Sequence, residues 1–160
     1  MELSRGGHIK ALICVDGSPV TNEGFKCAVN ALRTDIEYTL LYVLEEHGIY
    51  DSYKRIFKED LERIEELFED VDSEKEAAKK IFVLPLCEYM REYGLTVRAI
   101  VREGPAGEEI LDELRDGKYD LVLLGDRKSL SPARRLLGGT LTEVMGNADS
   151  CVMIVRPPRP

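Results

Sequence analysis

The stretch KALICVDGSPV, residues 10–20, passes from an apolar run straight into an acid, a glycine and a serine. A run this short and this continuous suits a strand covered on both faces, and Asp-Gly-Ser suits the turn that would come after it. Four further runs answer it along the chain: TLLYV (39–43), TVRAIV (96–101), DLVLL (120–124) and CVMIV (151–155). TVRAIV alternates more than the others, which puts it nearer an edge. Between the runs, Phe25, Ala28, Val29 and Leu32 share one helical face, and Ile110, Leu111 and Leu114 share another. Strand alternating with helix predicts an α/β class with a largely parallel sheet and right-handed crossovers.

The connection over about 45–95 is longer than one crossover helix needs. Phe57, Leu61, Ile64, Phe68 and Val71 fall at helical spacing, and Ser73 with Glu76 forms a capping-box pattern that restarts a helix. Pro85 then interrupts or kinks this second helix and Gly94 ends it. Two helices are therefore expected here. With no internal repeat and no low-complexity linker, residues 1–160 read as a single domain.

The formal net charge of −8 argues against a large nucleic-acid footprint, which needs a basic face, but leaves room for a small anion in a local cationic pocket. Cys14, Cys27, Cys87 and Cys151 show no CxxC or Cys/His spacing, and each sits in an apolar run, so buried thiols in a reducing compartment are expected. The opening MELSRGGHIK has no apolar signal core and no run reaches transmembrane length, which sets the expectation of a cytoplasmic protein away from membranes.

In an open parallel sheet, ligands sit beyond the carboxyl ends of the strands where the winding direction reverses. Two strand ends carry suitable residues: Asp16-Gly17-Ser18 after the first, and Gly125-Asp126-Arg127-Lys128 after the fourth. An acid at a strand tip can accept hydrogen bonds from ribose hydroxyls or a base edge. The plainer reading, and the one the sequence alone favours, is that Asp16 and Ser18 shape a turn and cap the next helix. In GDRKSLSPARRLLGGTLTEV (125–144), Ser131-Pro132 is a helix start, Leu136 and Leu137 would anchor that short helix, and Gly138 would end it. Thr140 and Glu143 form another capping box, so Gly139 and Thr140 fall at a helix N-terminus, where free N–H groups and the helix dipole favour an anion. Arg127, Lys128, Arg134 and Arg135 add positive charge. A surface helix–turn–helix connection would need the same caps and glycines, so spacing leaves both alternatives open. Neither GxxxxGK[ST] nor GxGxxG occurs, GxSxG is missing, and His8 and His47 read as surface residues. Nothing marks a nucleophile, a metal site or an acid/base pair.

Taken in order, ALICVDGS, LLYV, VREGPAGEEILDELRDGKYDLVLLGDR, the glycine pattern from Gly125 to Gly139-Thr140, and CVMIVRP resemble the universal stress protein family. The resemblance covers nearly the whole chain and is least familiar over 45–95. It implies a Rossmann-like five-stranded parallel sheet in the order 3-2-1-4-5 with helices on both faces. It also implies a stress-response or regulatory binding module that holds ATP, ADP or AMP, with or without Mg, between the tips of strands one and four. By position, Asp16 would lie by the ribose and base and Val43 by the adenine. Gly125, Gly139 and Thr140 would cradle the phosphates, with Arg127 and Lys128 in the same loop and Val15 and Thr142 as flanking contacts. ATP hydrolysis would be slow at most. The alternatives are a nucleotide-free dimeric scaffold, or an enzyme of the wider adenine-nucleotide-binding α/β group. CVMIV is a short apolar strand near the chain end with little after it to cover its edge; a homodimer through this strand, using Val152, Ile154 and Val155, is expected both from that edge and from the resemblance.

The glycine pattern departs from the family in its middle. Lys128 stands where the second glycine is usual, the interval from Gly125 to Gly139 is one residue longer, and Asp126 replaces a small residue and would repel a phosphate.

Overall fold

The computed structural model describes residues 8–32, 35–57, 66, 71–126 and 139–158. Strands β1 (Ile9–Cys14), β2 (Ile36–Leu44), β3 (Thr96–Glu103), β4 (Leu121–Gly125) and β5 (Cys151–Val155) pair in parallel in the order β3-β2-β1-β4-β5. The expected class, order and parallel pairing hold. The alternating run is indeed at an edge, as β3, and β5 forms the other edge.

Period-two alternation sorts the sheet into two apolar faces. Ala11, Ile13, Leu40, Tyr42, Leu123 and Val155 belong to the first core and Leu12, Leu41, Val122 and Leu124 to the second. The first face is covered by α1 (Pro19–Ala31) and by a long helical stretch, namely α3 (Glu74–Ala78), a π-helical segment (Lys79–Val83) and α4 (Leu84–Glu92). The second face is covered by α5 (Ala106–Gly117) and α6 (Gly139–Asn147). Phe25 and Val29 turn into the first core and Ile110 and Leu114 into the second, as their spacing requires.

The 45–95 connection differs from expectation at its start. A helix, α2, spans Gly48–Ile56, with Ile49 and Tyr53 buried four residues apart. The periodicity that begins at Phe57 therefore belongs to the chain beyond α2. Within it, Phe57 and Val71 pack on the first core, while Leu61, Ile64 and Phe68 lie outside the described residues. The second helix starts as its capping pair predicts, the Glu76 N–H donating to Ser73 Oγ at 3.2 Å. The Glu76 carboxylate takes the N–H of Asp72, at 3.1 Å. Pro85 does not stop this helix. Proline has no N–H for the usual bond to the carbonyl four residues back, and its ring crowds that carbonyl. The turn before it widens, so that the Leu84 N–H donates to the Lys79 carbonyl five residues back. Gly94, with φ of +75°, closes the helix, Leu95 N–H reaching Met90 C=O at 3.1 Å.

The two sheet edges are not alike. Along β3, Arg91 Nη2 donates to the Val97 carbonyl at 3.4 Å, and the strand carries Arg98 and Arg102. Arg102 is drawn toward α5, donating to Glu109 and Glu113 at 2.8 Å each. β5 carries no charge. Its Cys151 N–H and Val155 C=O bond toward β4, so alternation turns the N–H and C=O groups of Val152 and Ile154 to the outer edge.

The cysteines correct one expectation. Cys87 is buried and Cys14 half-buried, but Cys27 and Cys151 are exposed. An apolar neighbourhood in sequence does not distinguish the inner from the outer side of α1, nor the start of an edge strand from its middle. No helix among the described residues is long and apolar enough to cross a membrane.

Candidate functional site

Because α1 leaves the tip of β1 for the first face, and the connection after β4 leads to α6 on the second, the winding reverses between β1 and β4. The carboxyl ends of those strands therefore flank a crevice of the kind in which ligands sit.

On the β1 side, Asp16 is locked into its turn. Its Oδ1 accepts from the Ser18 N–H at 2.8 Å and from the Thr21 hydroxyl at 2.6 Å. Ser18 caps α1 by accepting from the Thr21 N–H at 3.2 Å. The turn-and-cap role weighed for these residues is thus realised, and it fixes the carboxylate at the strand tip. Gly17 has φ of +80°, and a side chain there would run into the ring of Phe82 from the π-helical segment. Phe82 in turn stacks on Tyr42 with ring centroids 4.6 Å apart.

Val15 is buried with its side chain in the first core, so it offers the crevice no side chain. Its N–H donates to Leu41 C=O at 2.9 Å, which means that the odd residues of β2 turn their backbone groups toward β1. Val43 is the next odd residue. β1 has ended by that point while β2 continues to Leu44, so the Val43 backbone groups look out beside the Asp16 turn.

On the β4 side, Gly125 lies under α1: a Cβ there would sit 3.3 Å from Thr21 Cγ2 and 3.4 Å from Phe25 Cζ. Asp126 donates its N–H to Val155 C=O at 2.8 Å, and its Oδ2 accepts from Arg156 Nε at 3.2 Å. The acid that sequence marked as repelling phosphate is thus paired with a cation thirty residues away. Sequence inspection missed both Phe82 and Arg156. The arginine after the last strand offered a charge signal; nothing in the helical pattern distinguished Phe82.

Gly139 and Thr140 begin α6 and are exposed, as is Thr142 in its first turn. A Cβ at Gly139 would meet nothing within 4 Å, so no described neighbour demands glycine there. Glu143 leans across to α5, where its carboxylate lies against Gly107 and leaves no room for a side chain. Arg127, Lys128, Arg134 and Arg135, the helix start at Ser131-Pro132, and Leu136, Leu137 and Gly138 lie outside the described residues. The structure thus places Val15, Asp16, the Val43 backbone and Gly125 at the ends of β1, β2 and β4, and Gly139, Thr140 and Thr142 in the first turn of α6.

Chemically the described residues offer binding groups. Burial, with the Glu113 charge second, pushes the Cys14 thiol far up, which keeps it protonated and poorly nucleophilic. His8 and His47 are both exposed, as expected. No group of three or more His, Cys, Asp or Glu residues that could hold a metal ion occurs among the described residues.

Comparison with known proteins gives consistent results. A family model described as "Universal stress protein family" matches residues 9–156. The chain is 28% identical over 159 residues to the universal stress protein MJ0531 of Methanocaldococcus jannaschii, covering 94% of this chain and 83% of that one. It shares its fold with a universal stress protein family protein from Arabidopsis thaliana solved with AMP bound, at a TM-score of 0.63 and 15% identity, covering 94% and 92% of the two chains. The universal stress protein from Archaeoglobus fulgidus solved in complex with dAMP is similar at a TM-score of 0.60 and 13% identity, covering 93% and 98%.

Proposed function

The chain belongs to the universal stress protein family, and from that premise we propose that it is a regulatory binding module that takes an adenine nucleotide between the tips of β1 and β4. What supports this is the fixed carboxylate of Asp16 at the tip of β1, the strand backbone of Val43 turned toward β1 past the end of that ladder, and the start of α6, the helix that follows β4 in the chain, at Gly139-Thr140. Each suits a different part of a nucleotide. The Val43 N–H and C=O match the donor and acceptor on an adenine edge, Asp16 accepts from ribose hydroxyls, and the backbone N–H groups at the head of α6 favour phosphate. The AMP and dAMP bound by fold neighbours support the adenine-nucleotide class.

Titration calorimetry with AMP, ADP and ATP, each with and without magnesium, tests this. One site per chain for at least one nucleotide is expected. No heat with any of them overturns the proposal in favour of a nucleotide-free scaffold, a rival that the carboxylate of Asp126 at the phosphate end and the uncharged outer edge of β5 favour. Under either reading we take the protein to be a homodimer paired through β5. A third possibility, an enzyme, requires steady turnover that disappears on replacing Asp16; binding without turnover is the expectation, since the described residues at the crevice hold and orient rather than transfer protons.

A further inference from the structure

We propose that Arg156 and Asp126 form a charge-compensating pair at the mouth of the crevice that sets how many phosphate groups the site tolerates, an inference that rests on the nucleotide-binding proposal above. Asp126 follows Gly125 directly at the tip of β4, and its N–H is committed to Val155 C=O at 2.8 Å, which holds its backbone at that strand end. A lone carboxylate there opposes every phosphate added to a ligand, because like charges a few ångströms apart repel even near solvent. Arg156 cancels that charge through Nε, 3.2 Å from Oδ2.

The arginine is positioned by the fold. The β4–β5 register sets Gly125 beside Val155, which brings the next residue of each strand together. The Arg156 carbonyl also rides against α1 at Gly24, where a Cβ would lie only 2.8 Å from it. A guanidinium has five N–H donors and the contact with Asp126 engages Nε, so its terminal nitrogens can serve a second anion. The side chains are 61% and 26% exposed, so the pair matters little to stability and acts through the field it leaves at the strand tips.

The test is a ladder of ligands, adenosine, AMP, ADP and ATP, titrated against the wild-type chain, Asp126→Asn, Arg156→Gln and the double variant. Removing Arg156 is expected to weaken ATP about three- to tenfold and adenosine less than about twofold. Removing Asp126 is expected to strengthen ATP by a similar factor, and both effects shrink at high salt. The double variant, with the pair's charge removed as a unit, should return to within about twofold of wild type, as a neutral pair replaced by neutral side chains would. Circular dichroism and the thermal midpoint should stay unchanged in all three. Equal losses for adenosine and ATP, or no change in any variant, overturn the pair's role while leaving nucleotide binding intact. Failure of every chain to bind any member of the ladder overturns both.

Discussion

The ring of Phe82 fills the space that a side chain at position 17 would occupy, so the turn holding Asp16 is propped by the helical layer on the first face. Gly17 is needed twice over, for φ of +80° and for this contact. Gly17→Ala is therefore expected to destabilise by about 1–3 kcal/mol through overpacking and the strained backbone. Phe82→Ala should cost about 3–5 kcal/mol, as for other buried phenylalanines. Combined, the two should cost less than their sum, since the cavity left by Phe82 accepts the new methyl group. Denaturant unfolding of the three variants measures this; strict additivity would mean that the two residues do not share the space.

Gly139 gives a cleaner view of the ligand. As no described atom lies within 4 Å of where its Cβ would stand, Gly139→Val should change stability by less than about 1 kcal/mol. Its effect on binding should be larger, and larger for ATP than for adenosine, because backbone approach to phosphate is what a branched side chain blocks. Equal affinities before and after substitution would remove Gly139 from the site.

Assembly can be tested on backbone alone. The Val152 N–H points to the outer edge of β5 and the Met153 N–H to β4. Val152→Pro deletes only the outward donor and should yield a folded monomer, whereas Met153→Pro breaks the ladder and should destabilise the fold itself. Light scattering at micromolar concentration distinguishes the outcomes. A Val152→Pro chain that keeps the wild-type dimeric mass would exclude β5 as the seam, as would a monomeric wild type.

The buried acids of highest pKa predict a loss of stability in base. Burial raises Cys14 and Cys87 above the usual thiol range and Tyr38 and Tyr119 above the usual phenol range. The folded chain therefore keeps protons that the unfolded chain releases. Stability should be complete below about pH 8.5 and fall steadily as pH rises through the unfolded thiol and phenol values, about 8.5 and 10. Urea midpoints from pH 7 to pH 11 measure it; a flat profile would contradict the burial of these groups. In the native state at pH 8, maleimide should modify Cys27 and Cys151, both exposed, well before Cys14 and Cys87.

The strands were legible because a doubly covered strand has to be apolar throughout, and KALICV, TLLYV, DLVLL and CVMIV satisfy that without help from neighbours. Caps were legible for the same local reason, as Ser73 with Glu76 and Gly94 illustrate. What escaped was tertiary. α2 is short, and its buried pair, Ile49 and Tyr53, is too sparse to outweigh the stronger periodicity after it. Pro85 signalled a disturbance, but whether a helix breaks or widens depends on the packing of its flanking turn, here Phe82 on Gly17 and Tyr42. At the crevice, Asp16 could be located from its strand end alone, whereas Val43 came only from the family resemblance. The partner of Asp126 could not, since only parallel pairing of β4 with β5 brings Arg156 to it.

The inequality of the two sheet edges bears on polymerisation. A sheet with two equivalent bare edges is a template for fibres, because every copy added presents a fresh edge to the next. The proposed joining of two chains through β5 would consume both uncharged edges and leave β3 outermost at each end. Extension would then have to pair β3 with β3. Centred on Ile100, that pairing sets Arg98 against Arg102 and competes for a Val97 carbonyl already held by Arg91. In a dimer so formed, growth would have no favourable next step, and the fold would carry its own chain terminator.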